Sequence, residues 1–165
     1  MKTIDTMKPI VRSLAIYLAD DDEADCQLFE KALNELPVTA NLTTFMDGEE
    51  LLYTMSQAGH IMPDVLFLDL NMPRKNGFVA LGQIKRDEKL YDLPVIVFST
   101  ANDQAKVKTV FRDAAHYYIT KPAKFSDLKE VIYKALTIIA EGNIQLPKQE
   151  NFVIASDKKA AKDEI

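Results

Sequence analysis

Sulfur and imidazole are scarce in this chain. Its 165 residues include one cysteine, Cys26, and two histidines, His60 and His116. A lone thiol excludes an intrachain disulfide and fits a reducing, cytoplasmic setting. One Cys and two distant His supply no zinc cluster. No apolar run approaches the roughly 18 residues of a membrane-spanning helix, and the N-terminus lacks the apolar stretch of a secretory signal. Basic charge is not in surplus: 20 Lys and Arg face 25 Asp and Glu, a formal net charge of -5. That balance argues against a nucleic-acid-binding surface. The nearest thing to a basic cluster, Lys106, Lys108 and Arg112, reads as a solvated helix face. There is no internal repeat.

What is present is a core. The hydrophobic content of 47% and the length suit one globular domain. Short apolar runs, Leu14–Ala19, Val65–Leu68, Val95–Phe98 and the weaker Tyr117–Ile119, are bounded by turn residues. Such runs, with helical patterns between them, read as parallel strands buried on both faces. Val38–Phe45 alternates enough for a further strand. Helices are expected over about 23–36, from Asp47-Gly-Glu-Glu50 to about 58, over 78–88, through Val107, Val110 and Phe111, and over 126–140. Asp22, Asp47 with Glu50, and Asn102 or Asp103 supply start signals, and Pro37 stops the first helix. The order implies a doubly wound sheet with right-handed crossovers. Residues 1–12 read as a flexible tail and 13–140 as the domain. From Glu141 the pattern dissolves into a C-terminal extension, 141–165.

Polar residues punctuate the strand ends. Asp20 and Asp21 follow the first run, Asp69 the third strand, Ser99 and Thr100 the fourth, and Lys121-Pro122 the fifth. In an open parallel sheet, ligands bind along the carboxyl edge. Three carboxylates, a hydroxyl and a lysine on that edge make a place for a divalent cation and a phosphoryl group. Clustered carboxylates repel, and Mg²⁺ takes oxygen ligands. With such an ion, three carboxylates and one lysine sum to zero. Other polar residues have plainer roles. Asp22 caps a helix, leaving Asp20 and Asp21 for the metal. Cys26, on one stripe with Phe29, Leu33 and Leu36, is a core thiol. His60 and His116 read as structural or exposed.

Four segments carry a resemblance: Leu18-Ala-Asp20-Asp21-Asp22, Leu68-Asp69-Leu-Asn71-Met-Pro73 closed by Gly77, Pro94-Val-Ile-Val-Phe-Ser99-Thr100-Ala101, and Tyr118-Ile-Thr-Lys121-Pro122. Over about 13–140 the chain resembles the receiver domain of bacterial two-component response regulators, in its stand-alone form. The resemblance implies a (βα)5 flavodoxin-like sandwich with strand order 2-1-3-4-5. It implies Asp69 as phosphoacceptor and Mg²⁺ held by Asp21, Asp69 and the Asn71 backbone carbonyl, with Asp20 acting through water. Lys121 would pair with the phosphoryl group. Ser99, with Thr100 as second choice, would be the switch hydroxyl, and Tyr118 would turn from exposed to buried on phosphorylation. The Lys121-Pro122 bond is expected to be cis. The implied partners are a histidine kinase or histidine phosphotransfer protein and an unknown protein target, with homodimerisation through the face of the fourth helix, fifth strand and fifth helix. That face is expected to include Lys106, Val110, Tyr118 and the helix beginning near Ser126. About 25 residues beyond the last helix leave no room for an output domain, so output is expected by protein contact.

Some positions depart from the family pattern. Thr100 stands where a smaller residue is usual. Ala101 replaces a polar side chain that helps orient water, which implies slower self-hydrolysis. Asp113-Ala-Ala-His116 lacks the glycine that usually ends the fourth helix, and Tyr117 replaces a commonly small residue. Two other readings compete: a pseudo-receiver that binds without phosphorylation, and a haloacid-dehalogenase-type phosphohydrolase. The second would need acidic ligands after the lysine, and no acidic strand end follows Lys121.

Overall fold

The apolar runs become the strands of one parallel sheet. The computed structural model describes residues 7–142 and 144–157. Expectations for residues 1–6, 143 and 158–165 lie outside the described residues. Five strands, β1 (Ile10–Ala19), β2 (Val38–Phe45), β3 (Val65–Leu68), β4 (Val95–Ser99) and β5 (Tyr117–Thr120), pair in the order β2-β1-β3-β4-β5. Five helices alternate with them: α1 (Glu23–Asn34), α2 (Gly48–Ser56), α3 (Gly77–Arg86), α4 (Gln104–Arg112) and α5 (Phe125–Ala140). This is the expected doubly wound architecture.

Two apolar cores sandwich the sheet. On one face Phe67, Ile96 and Phe98 meet Phe29 of α1 and Val131, Ile132 and Leu136 of α5. Three rings there, Phe29, Phe67 and Phe98, pack edge to face. On the other face Leu66, Leu68 and Val97 meet Leu51 of α2, Leu81 and Ile84 of α3, and Val110 of α4. Every residue of β3 and β4 is buried. That explains why those strands are continuous apolar runs, not alternating ones.

The helix starts follow their side-chain caps. Asp22 accepts from the Asp25 amide at 3.1 Å. Asp47 accepts from the Glu50 amide at 2.8 Å while Glu50 reaches back to the Met46 amide. Asp103 accepts from the Ala105 amide at 2.8 Å. The unforeseen cap is Asn76, which takes the Val79 amide at 3.0 Å and starts α3 at Gly77.

Four expectations change. The N-terminal tail does not extend to residue 12: Ile10 joins β1 through its amide bond to the Pro37 carbonyl, and Arg12 pairs with Asp64. The Lys121-Pro122 bond is trans, the form a proline amide favours by about 0.5–1 kcal/mol when no turn demands otherwise. Val110 is not part of an outer face: it is fully buried beneath α4. Beyond α5 the order does not dissolve. A 3-10 turn at Gln149–Asn151 leads into residues 152–156, which run beside β5 with a parallel bridge between Tyr118 and Val153.

Candidate functional site

Parallel pairing aligns Ala19 with Leu68, and Ser99 with Thr120. The residues that follow these strands therefore share one edge. The Asp20 amide donates to Phe45 O and the Asp69 amide to Ala19 O, each at 2.9 Å, so both aspartates leave the sheet in fixed directions. One carboxylate oxygen from each of Asp20, Asp21 and Asp69 falls within a 4.8 Å cluster. Asp20 and Asp69 are buried, and Asp21 is exposed.

Lys121 reaches into this cluster. Its Nζ lies 2.7 Å from Asp20, 2.8 Å from Asp25 and 3.4 Å from Asp69, over the Phe98 ring at 5.6 Å. Burial alone would lower the Lys121 pKa. Hydrogen bonds to Asp20 and Asp25, with the charge of Asp69, outweigh it and raise the value. The Asp20 pKa is pushed up to about 6, chiefly by burial, against the pull of Lys121 and the Asp22 amide. The raised value reflects how far Asp20 is removed from water, with the charge of Asp69 adding a smaller push in the same direction.

Asp25 is the residue that sequence reasoning missed. It stands three residues after the capping Asp22, in the first turn of α1, and that acidic turn directly beyond Asp20 and Asp21 was the available signal. Lys121 thus contacts three carboxylates, and Asp21 brings the acidic groups at this edge to four. With a divalent ion the cluster carries -1 instead of zero.

The loop after β3 is clamped from two sides. The Gly77 amide donates to Leu70 O at 3.0 Å, and a Cβ on Gly77 would lie 2.2 Å from Asp69 O. Only glycine lets α3 start so close to the acidic strand end. A Cβ on Gly48 would lie 2.3 Å from Lys75 O, and Arg74 pairs with Asp47. Arg74 has φ 60°, and the Lys75 amide bonds back to Pro73 O at 2.7 Å in a tight three-residue turn. Asn71 is exposed on this loop, and its amide donates to Asp69 Oδ1 at 3.3 Å.

The two candidate hydroxyls separate cleanly. Ser99 is buried, its Oγ accepting from the Ala101 amide at 3.3 Å, and its carbonyl accepts from the Lys121 amide at 2.9 Å. Thr100 is exposed. Tyr118 differs from expectation: its ring is already fully buried, with the hydroxyl donating to Ala101 O. Phe111 and Phe152 complete the aromatic cluster that holds it inside. Burial raises the Tyr118 pKa, and the nearby Ser99 hydroxyl opposes this.

Cys26 and the two histidines are not among the clustered groups, although the Cys26 thiol donates to the Asp20 carbonyl at 3.5 Å. Cys26 is a core thiol whose pKa burial pushes up to about 11. His116 is buried with Nδ1 accepting from the Val95 amide at 3.2 Å, and His60 meets the Tyr17 hydroxyl at 2.8 Å.

A doubly wound sheet with an acidic pocket, a hydroxyl and a lysine on its carboxyl edge defines a phosphoacceptor signalling domain. The family model of the response regulator receiver domain matches residues 16–133. The chain belongs to that family, whose members receive their phosphoryl group from histidine kinases or phosphotransfer proteins and hold a divalent cation at the acidic pocket. It is 30% identical over 120 residues to the probable methanogenesis regulatory protein FilR2 of Methanothrix harundinacea, covering 71% of this chain and 77% of that protein. It is 28% identical over 121 residues to response regulator Rcp1 of Synechocystis, covering 71% of this chain and 82% of Rcp1. The structure of the Mn²⁺-bound form of Rcp1 superposes with a TM-score of 0.71 over 82% of this chain and 99% of that one, at 27% identity. The phosphorylated cyanobacterial phytochrome response regulator RcpA gives 0.70 at 31% identity, over 83% of this chain and all of that one.

The residues present suit a divalent cation. Three oxygens of the hard type converge, and Asp20 Oδ2, fully buried, finds only the Lys121 charge to offset it. No described helix is long and apolar enough to cross a membrane.

Proposed function

We propose that Asp69 accepts the phosphoryl group, that Mg²⁺ is held by Asp21, Asp69 and the Asn71 carbonyl with Asp20 behind a water, and that Lys121 and Ser99 bind the phosphoryl oxygens. The observation that carries this reading is the contact of Lys121 with both Asp20 and Asp69 at the mouth of the carboxylate cluster. When bound, the ion neutralises the donor's charge and aligns it for displacement. Asp69, fixed through its backbone to β1 and through Oδ1 to the Asn71 amide, presents Oδ2 as nucleophile. An Asp69 oxygen forms the bond to phosphorus as the P–N bond of the phosphohistidine breaks, and the imidazole leaves with its electron pair. The acyl phosphate carries more negative charge than the carboxylate it replaces. Lys121 then exchanges its carboxylate partners for phosphoryl oxygens, and Ser99 adds a hydroxyl donor.

The same residues support self-catalysed phosphorylation with slow hydrolysis of the product, since the methyl of Ala101 cannot orient an attacking water, and Thr100 beside Ser99 is exposed. A cytoplasmic location suits the buried, unreactive Cys26. Downstream output is by protein contact, through the face built from α4, β5 and α5.

Incubation with acetyl phosphate, with and without Mg²⁺, tests the assignment. Base-labile label on the wild type, lost in Asp69→Asn with the fold intact, is the expected result. Equal labelling of the mutant sinks the assignment. Continuous turnover would favour a phosphohydrolase, and no label a pseudo-receiver.

A further inference from the structure

The edge of β5 is not open. The Tyr118 amide donates to Phe152 O at 3.0 Å and the Ile154 amide donates to Tyr118 O at 2.8 Å. Residues 152–154 thus bridge to the β5 edge in parallel through the backbone of Tyr118, and the chain runs on along that edge to residue 156. Burial alternates along them: Phe152, Ile154 and Ser156 are buried, and Val153 is exposed. Phe152 belongs to the core beneath α2, α3 and α4, and Ile154 to the core beneath α1 and α5, so the segment closes the seam where both cores reach the sheet edge. Its far end is tied to α5. Lys134 Nζ donates to Ala155 O at 2.8 Å and meets Asp157 at 2.6 Å, and the buried Glu130 accepts the Asp157 amide at 2.7 Å.

One residue joins this segment to the site. Tyr118 uses both backbone groups on the segment and its hydroxyl on Ala101 O, in the loop that follows Ser99 at the end of β4. The Ala101 amide in turn donates to Ser99 Oγ. A cleft of about 770 Å³ is lined by residues of both, Tyr118, Thr120 and Lys121 together with Val153 and Ser156. An outward turn of Tyr118 would break its hydroxyl bond and its packing on Phe152, whose ring centroid lies 6.3 Å away.

We propose that the α4-β5-α5 face is a strand-binding surface occupied by the chain's own residues 152–156, and that this occupancy and phosphoryl binding favour each other through an inward Tyr118. The inference rests on the phosphoacceptor reading above. Its content is a sign: the segment is a positive effector of the site, not an inhibitor. A segment that binds the inward state more tightly removes part of the cost of reaching it. Reciprocity then requires the bound phosphoryl group to tighten the segment by the same factor.

Beryllium fluoride with Mg²⁺, a mimic of the phosphoryl group, provides the test on the full chain. Amide exchange at Tyr118 and Ile154 is expected to slow by about five-fold or more on addition, the lower end of ordinary coupling. Phe152→Ala is expected to bind beryllium fluoride weaker by a similar factor. Unchanged or faster exchange in the wild type overturns the proposal, whether or not the variant folds. So does equal affinity of a folded Phe152→Ala. Protection at Ile154 that vanishes on dilution would assign the strand to a neighbouring copy and also overturn it. If the wild type binds no beryllium fluoride at all, the phosphoacceptor reading has failed instead.

Discussion

Two edges of the same sheet are built on opposite terms. At the carboxyl edge, three carboxylates crowd one lysine with a fourth, Asp21, beside them, and glycines admit backbone contacts that no side chain would allow. Along the β5 edge, Phe152 and Ile154 fill apolar seams, and two backbone bonds finish the ladder. The first arrangement costs stability and provides chemistry. The second provides stability by covering a strand edge, and it acts on the chemistry only at a distance, through Tyr118. Function concentrates where the molecule tolerates repulsion, and the apolar edge holds that strained site in register.

The first way to separate the two edges is to remove Phe152. Truncating a fully buried phenylalanine costs about 3–5 kcal/mol. Phe152→Ala should therefore lower the urea midpoint strongly while Mg²⁺ affinity, set by distant carboxylates, stays close to wild type. A drop in stability below about 1 kcal/mol would show that residues 152–156 do not hold the edge as described.

The two edges also differ in how legible they were. Asp20, Asp21, Asp69, Ser99 and Lys121 stood out because each ends a short apolar run and each residue type is dictated by charge or donor count. The doubly wound architecture and the caps at Asp22, Asp47 and Asp103 followed from the same punctuation, while the strand order came with the family resemblance. Asp25 escaped because a carboxylate in a first helical turn is explained well enough by the helix dipole. Phe152-Val-Ile-Ala155 escaped for a different reason. Four apolar residues after a Gly-, Pro- and charge-rich stretch look like a loose end, since many sequences can satisfy an edge strand. The inward Tyr118 depends on that segment, so it could not be read before the segment was.

Acid gives the next largest test, and it strikes the apolar side. His116 lies just before β5, its amide on Val95 O and its Nδ1 taking the Val95 amide. Protonation would set two N–H groups against each other. Burial pushes its pKa down from 6.5 to about 4, with the neighbouring Lys85 adding to the effect and Asp92 opposing it. The unfolded chain takes up the proton first as pH falls. The stability due to neutral His116 is full above pH 6.5, is lost between 6.5 and about 4, and changes no further below. That gap corresponds to a loss of about 3 kcal/mol. His116→Asn keeps an acceptor for Val95 without the titration, so its urea midpoint should fall less steeply over this range. Parallel pH profiles would refute the role.

On the acidic edge the expected pattern reverses. Asp21→Ala should weaken Mg²⁺ binding by about 100-fold and Asp20→Ala by about 10-fold, the difference between a ligand and a group behind water. In chelator, Asp69→Asn should be at least as stable as wild type, because one of several mutually repelling carboxylates is gone. Ion titrations and urea melts report the two quantities separately. If Asp20→Ala and Asp21→Ala both bind Mg²⁺ normally, these residues do not form the site. If Asp69→Asn melts earlier in chelator, the edge is not strained in the way its charges imply.

The smallest effect concerns the end of α4, where the family's usual glycine is absent. Ala114 nevertheless takes the left-handed conformation, with φ 67°. The Ala115 amide bonds to Val110 O and the Ala114 amide to Phe111 O, each at 3.1 Å, which is the double closure of a Schellman cap. The motif has been kept and its steric cost accepted, because Ala115 must turn inward and His116 must enter β5 beside Val95. An L residue in this region costs about 1–2 kcal/mol, and glycine gives part of that back through the entropy of the unfolded chain. Ala114→Gly should therefore stabilise the protein by about 1 kcal/mol, and neither Mg²⁺ affinity nor labelling should move. Thermal or urea unfolding measures the gain. A loss of stability would mean that the Ala114 methyl makes contacts worth more than the strain. An accompanying change in labelling would mean that the turn before β5 communicates with the acidic edge, and the contrast between the two edges would then be less complete than their contacts indicate.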